Sequence, residues 1–241
     1  MTLQRLLRHA ANPAKLPALI WKNITYPFSP QAAERRYDRR LGIDTAGYLT
    51  SQQLGLGEQE AGNSQPYGAT PPAIAEFLIG KIAPRAKGFT FLDIGSGKGR
   101  VLLIAALFPF RRVIGVEHSA PLNETAENNV RQFAKRHPKM APVEVVTADA
   151  TKFALPDEPL VLFLFNPLTP EAIRQFGLAL KDSYQRVPRK IICIYYNSAH
   201  PGALSELGIF PIQELVECPR DPNDRYQAEH FRTIVLETAD A

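Results

Sequence analysis

The fold is decided by residues 89–100, which read FTFLDIGSGKGR. Phe89–Ile94 is an apolar run of strand length. The alternate glycines from Gly95 to Gly99 predict a tight turn whose backbone comes close to a ligand. The apolar stretch Gly99–Leu107 then predicts a buried helix. A glycine-rich turn between a strand and a helix directs free backbone N–H groups towards a bound ligand.

Strand and helix patterns alternate on the C-terminal side of this turn. The segments that continue the alternation are four predicted strands and two predicted helices: Arg112–Val116, Val143–Thr147, Leu160–Phe165, Lys190–Tyr196, Ala120–Arg136 and Pro170–Gln185. Short apolar strands separated by helices indicate a parallel sheet covered on both faces. Gln213–Glu217 and Phe231–Glu237 have strand patterns with no helix between them, which predicts an antiparallel hairpin at one sheet edge.

We therefore expect an α/β fold with a doubly wound, mostly parallel seven-stranded sheet and an antiparallel C-terminal hairpin. A basic N-terminal helical extension precedes it. The first 40 residues hold eight Lys/Arg and two acids, whereas the remaining 201 residues hold 20 and 22. The charged run Gln31–Arg40 predicts a helix, and residues 42–70 predict a long loop that closes over a ligand. Thr70-Pro71 predicts the start of another helix, with Thr70 as its N-cap. We divide the chain into an extension with its loop at 1–65 and a globular domain at 66–241.

The basic extension has three interpretations. Leu3, Leu6 and Leu7 stand at helical spacing between basic residues, which indicates a short amphipathic helix. The favoured interpretation is an extension that packs on the globular domain or stays mobile. Contact of residues 1–40 with nucleic acid or an anionic membrane, and a cleavable targeting peptide, are less favoured.

Composition excludes several classes of protein. The chain is 45% apolar and 22% charged, which is typical of a soluble globular protein. The longest aliphatic-aromatic stretch, Val101–Phe108, has eight residues, whereas a membrane helix needs roughly 20. Cys193 and Cys218 are too few for a disulfide framework or a four-cysteine zinc site. We expect no metal site and a reducing, cytoplasmic location.

Two common phosphate-binding motifs do not fit the glycine turn. A P-loop aligned on Gly97 would need a glycine where Leu92 stands and a hydroxyl residue where Gly99 stands. The dinucleotide fingerprint would need Gly or Ala where Arg100 stands, which disfavours a nicotinamide oxidoreductase. The feature that remains is an acid, Asp93, two residues before the first glycine.

The resulting pattern, Asp-x-Gly-x-Gly-x-Gly, resembles the nucleotide-binding motif of the class I, seven-stranded S-adenosylmethionine-dependent methyltransferases. The resemblance covers roughly residues 66–240. It implies the sheet described above, methyl transfer, and S-adenosyl-L-methionine as cofactor. The implied cofactor contacts in and around the turn are Asp93, Gly95, Ser96, Gly97, Gly99 and Arg100.

Further candidate residues follow the next predicted strands, where ligands of open parallel sheets bind. Glu117 ends the second strand, and a carboxylate there accepts hydrogen bonds from both hydroxyls of a ribose. The resemblance implies that Asp149 accepts from the adenine amino group and that the backbone of Ala150 reaches an adenine ring nitrogen. His118 is expected against adenine. Asn166 ends the fourth strand beside the reactive end of the cofactor.

A narrower resemblance begins upstream of the glycine turn. Tyr67-Gly68-Ala69-Thr70 is similar to the Tyr-Gly-Glu-Thr loop of the non-SET, seven-stranded lysine methyltransferases. In that group the loop covers the methionine end of the cofactor, which implies cofactor contacts for Tyr67 and Thr70. Ala69 replaces the glutamate of that loop, and the segment Arg39–Thr45 has no counterpart in the group.

The methyl acceptor stays open at this point. Asn166-Pro167 begins the motif of adenine and glutamine methyltransferases, but Leu168 and Thr169 follow where a stacking aromatic residue is required. A planar base or amide is therefore less favoured than a lysine or other protein amine, or a small molecule. Asn166 is the candidate catalytic residue, holding either the acceptor or the cofactor. The alternative is an S-adenosylmethionine-binding module that works through its basic N-terminus. The sequence does not predict the oligomeric state.

Overall fold

The computed structural model describes residues 30–50, 52–54, 65–219 and 232–240. The predicted amphipathic helix around Leu3–Leu7 and the predicted strand residue Phe231 lie outside the described residues.

The helices and strands that the sequence predicts appear in the predicted order. In addition, two short strands lie within residues 42–70, which were predicted as a loop, and the short helix at Gly202–Ser205 was not predicted. The helices are α1 (Pro30–Leu41), α2 (Pro72–Ile82), α3 (Arg100–Ala105), α4 (Ala120–Arg136), α5 (Pro170–Arg186) and α6 (Gly202–Ser205). The strands are β1 (Tyr48–Leu49), β2 (Tyr67–Gly68), β3 (Thr90–Ile94), β4 (Arg112–Glu117), β5 (Val143–Thr147), β6 (Leu160–Phe165), β7 (Ile191–Ser198), β8 (Ile212–Val216) and β9 (Arg232–Glu237).

Seven strands form one sheet in the order β5-β4-β3-β6-β7-β9-β8. The five strands from β5 to β7 pair in parallel, and β9 pairs antiparallel with both β7 and β8. This confirms the predicted seven-stranded sheet with its antiparallel C-terminal hairpin. β1 and β2 form a separate antiparallel pair in which Leu49 lies opposite Tyr67.

The central strand β3 packs a core on each face of the sheet. Phe91 contacts the apolar cluster built with α2 and α3, whereas Leu92 belongs to the cluster that contains α5. Both side chains are completely buried. A strand that is buried on both faces favours apolar residues on each face, which explains the consecutive apolar residues Phe91 and Leu92.

The start of α2 differs from the sequence prediction. Thr70 was expected to cap the helix, but the N-cap residue is Pro71 and it makes no side-chain capping bond. Thr70 is instead buried, and its carbonyl accepts a hydrogen bond from Nη1 of Arg100 at 3.2 Å. The cap prediction was wrong because the carbonyl of Pro71 accepts the first helical hydrogen bonds, from the N–H groups of Ile74 and Ala75 at 3.1 Å each.

Helix α1 confirms the predicted charged helix and packs on the globular domain. Arg136 donates from Nη1 to the carbonyl of Arg40 at 3.0 Å. The Asn129 side chain accepts from the backbone N–H of Asp44 at 2.8 Å and donates to its carbonyl at 2.7 Å. These contacts cross the division at residue 65, which stays a prediction. No helix within the described ranges has the length and apolarity to cross a membrane.

A partly buried ion pair connects β3 and β4 at the end of these strands opposite the glycine turn. Arg112 on β4 donates from Nη2 to Oε1 of Glu158 at 2.6 Å. Thr90 on β3 donates its hydroxyl to the same oxygen at 2.8 Å. Partial burial raises the pKa of Glu158, but these hydrogen bonds outweigh it and hold the pKa below its usual range.

Glu158→Gln should therefore destabilise the protein by about 1 kcal/mol at pH 7. Because the folded-state pKa lies below the unfolded value, the stabilisation is present above about pH 4.3 and is lost as the pH falls through the folded pKa. Urea unfolding at pH 7 and pH 3.5 measures the difference. An equal loss at both pH values would contradict the ion-pair account.

Candidate functional site

The glycine turn has a backbone conformation that few other residues adopt. Gly95, Gly97 and Gly99 have φ angles of 73°, 54° and 83°. The N–H groups of Gly95 and Ser96 donate to the carbonyl of Val116 at 2.8 and 3.2 Å, which fixes the turn to β4. The left-handed conformation explains the three glycines without any appeal to function.

Two side chains lie directly on the backbone of the turn. A Cβ atom at Gly95 would come within 2.3 Å of Cβ of Pro167, and one at Gly97 within 2.4 Å of the Tyr67 ring. Pro167 follows β6, and Tyr67 belongs to β2. The turn is therefore held between the end of β6 and the segment before α2.

Glu117 faces the turn from the end of β4. Its carboxylate accepts from the N–H of Gly97 at 3.0 Å and from the N–H of Ser119 at 2.9 Å. A carboxylate has about four acceptor sites, so sites remain for a pair of ligand hydroxyls. Asn123 donates from Nδ2 to the carbonyl of Glu117 at 2.7 Å and to Oγ1 of Thr147 at 2.8 Å, joining the ends of β4 and β5.

Asp93 is the buried acid beneath this site. It is 4% exposed at the centre of the sheet. Burial, together with the negative charge of Glu117, raises the pKa of Asp93 well above its ordinary value. A positively charged ligand group at this place would favour the ionised form.

Asp149 and Ala150 follow β5 next to the Glu117 backbone. The N–H of Ala148 donates to the carbonyl of Glu117 at 3.1 Å. Asp149 uses Oδ1 to accept from the N–H and hydroxyl of Thr151 at 2.9 and 2.7 Å. Slight burial raises the pKa of Asp149, but these bonds outweigh it and lower the pKa. The carboxylate is therefore ionised and acts as an acceptor at neutral pH.

Asn166 stands in a strained conformation at the end of β6. It has φ 43°, and Asn197 at the end of β7 has φ 53°. The Tyr195 hydroxyl donates to Oδ1 of Asn166 at 3.2 Å. Burial raises the pKa of Tyr195 to about 12, so the phenol keeps its proton and remains a donor. Non-glycine residues with positive φ are enriched at functional sites.

The segment before α2 covers the turn and is itself tied down. The N–H of Gln65 donates to the carbonyl of Pro167 at 3.1 Å. The Tyr67 hydroxyl donates to the carbonyl of Thr45 at 2.6 Å. Burial raises the pKa of Tyr67, which keeps this phenol protonated as well. The described part of residues 42–70 therefore packs on the turn, and it contains the strand pair β1–β2 where a loop was predicted.

Arg100 points into the segment between residues 38 and 70, which we call the cover of the turn. It is 2% exposed, and its Nε donates to Oγ1 of Thr45 at 2.7 Å. Its Nη2 lies 3.7 Å from Oδ1 of Asp38. Asp38 in turn accepts from the N–H and hydroxyl of Thr45 at 2.6 and 2.7 Å. The contacts of the Arg100 side chain are thus with protein groups of the segment between residues 38 and 70.

The sequence did not single out Asp38, which binds Thr45 in the segment that covers the turn. It also did not predict that Pro167 packs on Gly95 or that the Tyr195 hydroxyl binds Asn166. The only usable signal was the segment Arg39–Thr45, which had no counterpart in the resembling group. No group of three or more His, Cys, Asp or Glu in the described ranges could hold a metal ion.

Buried polar atoms around Glu117 fit a ligand with several hydrogen-bonding groups. Within the described residues, Oγ of Ser96, Nε2 of His118 and Oγ of Ser119 are buried and have no hydrogen-bond partner. Leaving such atoms unpaired costs about 1–3 kcal/mol each. A nucleoside with its ribose hydroxyls and ring nitrogens carries the complementary groups, so the residues present fit S-adenosylmethionine.

Asp93→Asn should raise stability at pH 7 by about 0.5–2 kcal/mol, because the neutral amide replaces a carboxyl whose ionisation is disfavoured by burial and by Glu117. The folded-state pKa of Asp93 lies above the unfolded value of about 3.9. Its stability contribution is therefore fully present below the unfolded pKa and is lost as the pH rises towards the folded pKa. The gain should shrink towards pH 4 in thermal unfolding, and a variant that is less stable at pH 7 would refute this account.

The comparisons with known proteins agree with the geometry. Residues 92–166, which run from β3 to Asn166, match the family model described as methyltransferase domain. Among solved structures, the methyltransferase domain of the bacterial protein CtHen1 is similar with 11% identity, a TM-score of 0.51, and coverage of 70% of this chain and 98% of that chain. A SAM-dependent O-methyltransferase from Thermotoga maritima is similar with 14% identity, a TM-score of 0.51, and coverage of 72% and 67%.

At such identities the structural similarity establishes the fold alone, and a search of curated proteins finds no match. The assignment rests on the matched domain, the strand order and the acid-glycine turn together. The chain contains a methyltransferase domain with a Rossmann-like fold, which supports an S-adenosylmethionine-dependent methyltransferase.

Proposed function

We propose that this methyltransferase transfers the methyl group by in-line displacement to an amine acceptor held beside Asn166. The observation that carries the proposal is the strained Asn166, whose Oδ1 accepts from the Tyr195 hydroxyl at 3.2 Å. Pro167, the next residue, packs on Gly95 of the turn. The amide is thus fixed in direction at the edge of the turn.

The cofactor contacts follow from the groups that remain available. Glu117 accepts hydrogen bonds from the ribose hydroxyls. The adenine contacts Asp149, the Ala150 backbone and His118. The turn, with Tyr67 and Thr70 above it, encloses the methionine end. The bound cofactor supplies a methyl group on a positively charged sulfur, and Asp93 supplies negative charge beneath the site.

An amine fits Asn166 better than a planar base does. Oδ1 of Asn166 has two acceptor sites, of which Tyr195 uses one. The second acceptor site binds an N–H of the amine and so orients the lone pair of the amine nitrogen. An amine reacts only after it has lost its extra proton, and a water-poor pocket favours that neutral form. The described residues after Asn166 supply no aromatic ring for stacking on a base, since Leu168 and Thr169 stand there.

Binding of S-adenosylhomocysteine tests the cofactor site. Isothermal titration should show binding to the full chain, and Glu117→Gln should weaken it about 10- to 100-fold, because hydrogen bonds to a charged acceptor are lost. Glu127→Gln is a matched control, since Glu127 is exposed on α4 and pairs with Arg131. NAD should not bind. If the Glu117→Gln variant binds with the same affinity as wild type, Glu117 does not contact the bound cofactor.

Transfer of a radiolabelled methyl group tests the acceptor class. We expect label in a lysine-rich peptide or in small primary amines, in a form that resists mild base as N-methyl groups do. Asn166→Ala should lower this transfer about 10- to 100-fold while S-adenosylhomocysteine affinity stays within a few-fold. Asn128→Ala, an exposed position on α4, should leave transfer unchanged. Label found only in hydroxyl acceptors would contradict the amine proposal.

A further inference from the structure

Helix α1 separates its charges between two faces. The acids Glu34 and Asp38 are 8% and 5% exposed. The arginines of the helix are all exposed: Arg35, Arg36, Arg39 and Arg40. A twelve-residue helix with two acids and four arginines therefore presents positive charge to solvent and buries its negative charge.

The buried acids bind backbone groups of the following segment. Glu34 accepts from the N–H of Gly47 at 3.3 Å, and Asp38 accepts from the N–H groups of Thr45 and Ala46 at 2.6 Å each. This pairing fixes which face of α1 points inwards. The arginines are held outwards by the same contacts.

Helix α4 adds a fifth cation to this surface. Arg136 is exposed, donates to the carbonyl of Arg40 at 3.0 Å, and lies over Gly42, where a Cβ would be 3.2 Å from its Nη2. We call Arg35, Arg36, Arg39, Arg40 and Arg136 the arginine surface. Among the described acids nearby, Glu76 lies close enough to raise the pKa of Tyr37, and Asp44 pairs with Lys98 at 3.0 Å. Helix α1 itself carries four arginines against two buried acids.

The chemistry of the surface favours a phosphate backbone over a lipid headgroup layer. A helix that binds at a membrane interface needs an apolar face. No exposed large apolar residue of the described chain lies on α1. Arginine pairs with phosphate in a bidentate manner, and a run of such contacts gives sequence-independent binding of nucleic acid.

An exposed aromatic residue directly follows the residue whose N–H binds Glu34 of α1. Tyr48 on β1 is 47% exposed, and its neighbour Gly47 is the residue that donates to Glu34. Aromatic side chains next to a positive surface stack on unpaired bases. The combination is typical of single-stranded nucleic acid sites and is not needed for binding an acidic protein. The sequence before α1 adds Arg5, Arg8, Lys15 and Lys22 without any acid up to residue 33.

We propose that the arginine surface and Tyr48 bind single-stranded nucleic acid, with the backbone on the arginines and a base on Tyr48. The Asp38–Thr45–Arg100 contacts connect α1 with the glycine turn. A strand bound there lies beside the cover of the cofactor site. The binding is independent of the amine-acceptor proposal, and only its use in bringing a substrate to the site rests on that function.

Fluorescence anisotropy of the full chain with a labelled 12-nucleotide RNA of mixed sequence tests the surface, with DNA of the same sequence in parallel. The logarithm of the binding constant should fall linearly with the logarithm of KCl concentration, with a slope of about −0.7 for each phosphate contact. In R39Q/R40Q the slope should become shallower by about 1.4, and affinity at low salt should fall about tenfold or more.

Two further variants separate charge from stacking. R174Q/R186Q removes the same charge from exposed positions on α5 and should change neither slope nor affinity. Tyr48→Ala should weaken binding about tenfold with an unchanged salt slope, because stacking releases no counterions. All variants should keep the wild-type melting temperature and S-adenosylhomocysteine affinity, which shows that the cofactor site is intact.

Three outcomes would overturn the proposal: no salt-dependent RNA or DNA binding, equal losses in R39Q/R40Q and R174Q/R186Q, or tighter binding to phosphatidylglycerol vesicles or polyglutamate than to either oligonucleotide. If the oligonucleotide binds while S-adenosylhomocysteine does not, the nucleic-acid proposal is supported and the proposed cofactor contacts are contradicted. The two proposals therefore fail separately.

Discussion

Close approach to the backbone at Gly95 and Gly97 is the constraint on which the site depends. Pro167 and Tyr67 lie where a Cβ atom would be, so the end of β6 and the cover before α2 are both seated on the turn. A side chain at either glycine would displace them and would also strain a backbone with positive φ. The positions of Asn166 and of the segment before α2 therefore depend on the absence of a Cβ atom at Gly95 and Gly97.

Arg100 links the N-terminal segment to this turn. Burying a guanidinium is costly unless its N–H groups are paired. Here Nε and Nη1 bond to Thr45 and to the carbonyl of Thr70, whereas Nη2 makes no hydrogen bond among the described residues and has the Asp38 carboxylate 3.7 Å away. Arg100, the residue that departs from the dinucleotide fingerprint, thus binds the segment that covers the turn. One side chain connects the start of α3 with the segments on both sides of residue 65.

Local patterns predicted most of the fold. The strands around β3 and β6 are recognisable because burial on both faces requires continuous apolar runs, and α4 was predicted with its observed bounds. The C-terminal hairpin was recognisable because no helix separates its strands. The start of α2 was predicted one residue too early, and the contact between Thr70 and Arg100, 30 residues away, was not predicted. Local sequence carries no information about such a distant partner.

The sequence by itself determined the strand-turn-helix unit, the order of acids at the strand ends and the cofactor class. These features are local, or they repeat once for each strand of a parallel sheet. Only the tertiary structure decided that Tyr195 orients Asn166 and that Thr45 reaches Arg100. It also decided which face of α1 is buried. Helical spacing places acids and arginines on opposite faces, but the choice between them depends on backbone donors supplied by the segment that folds back along the helix.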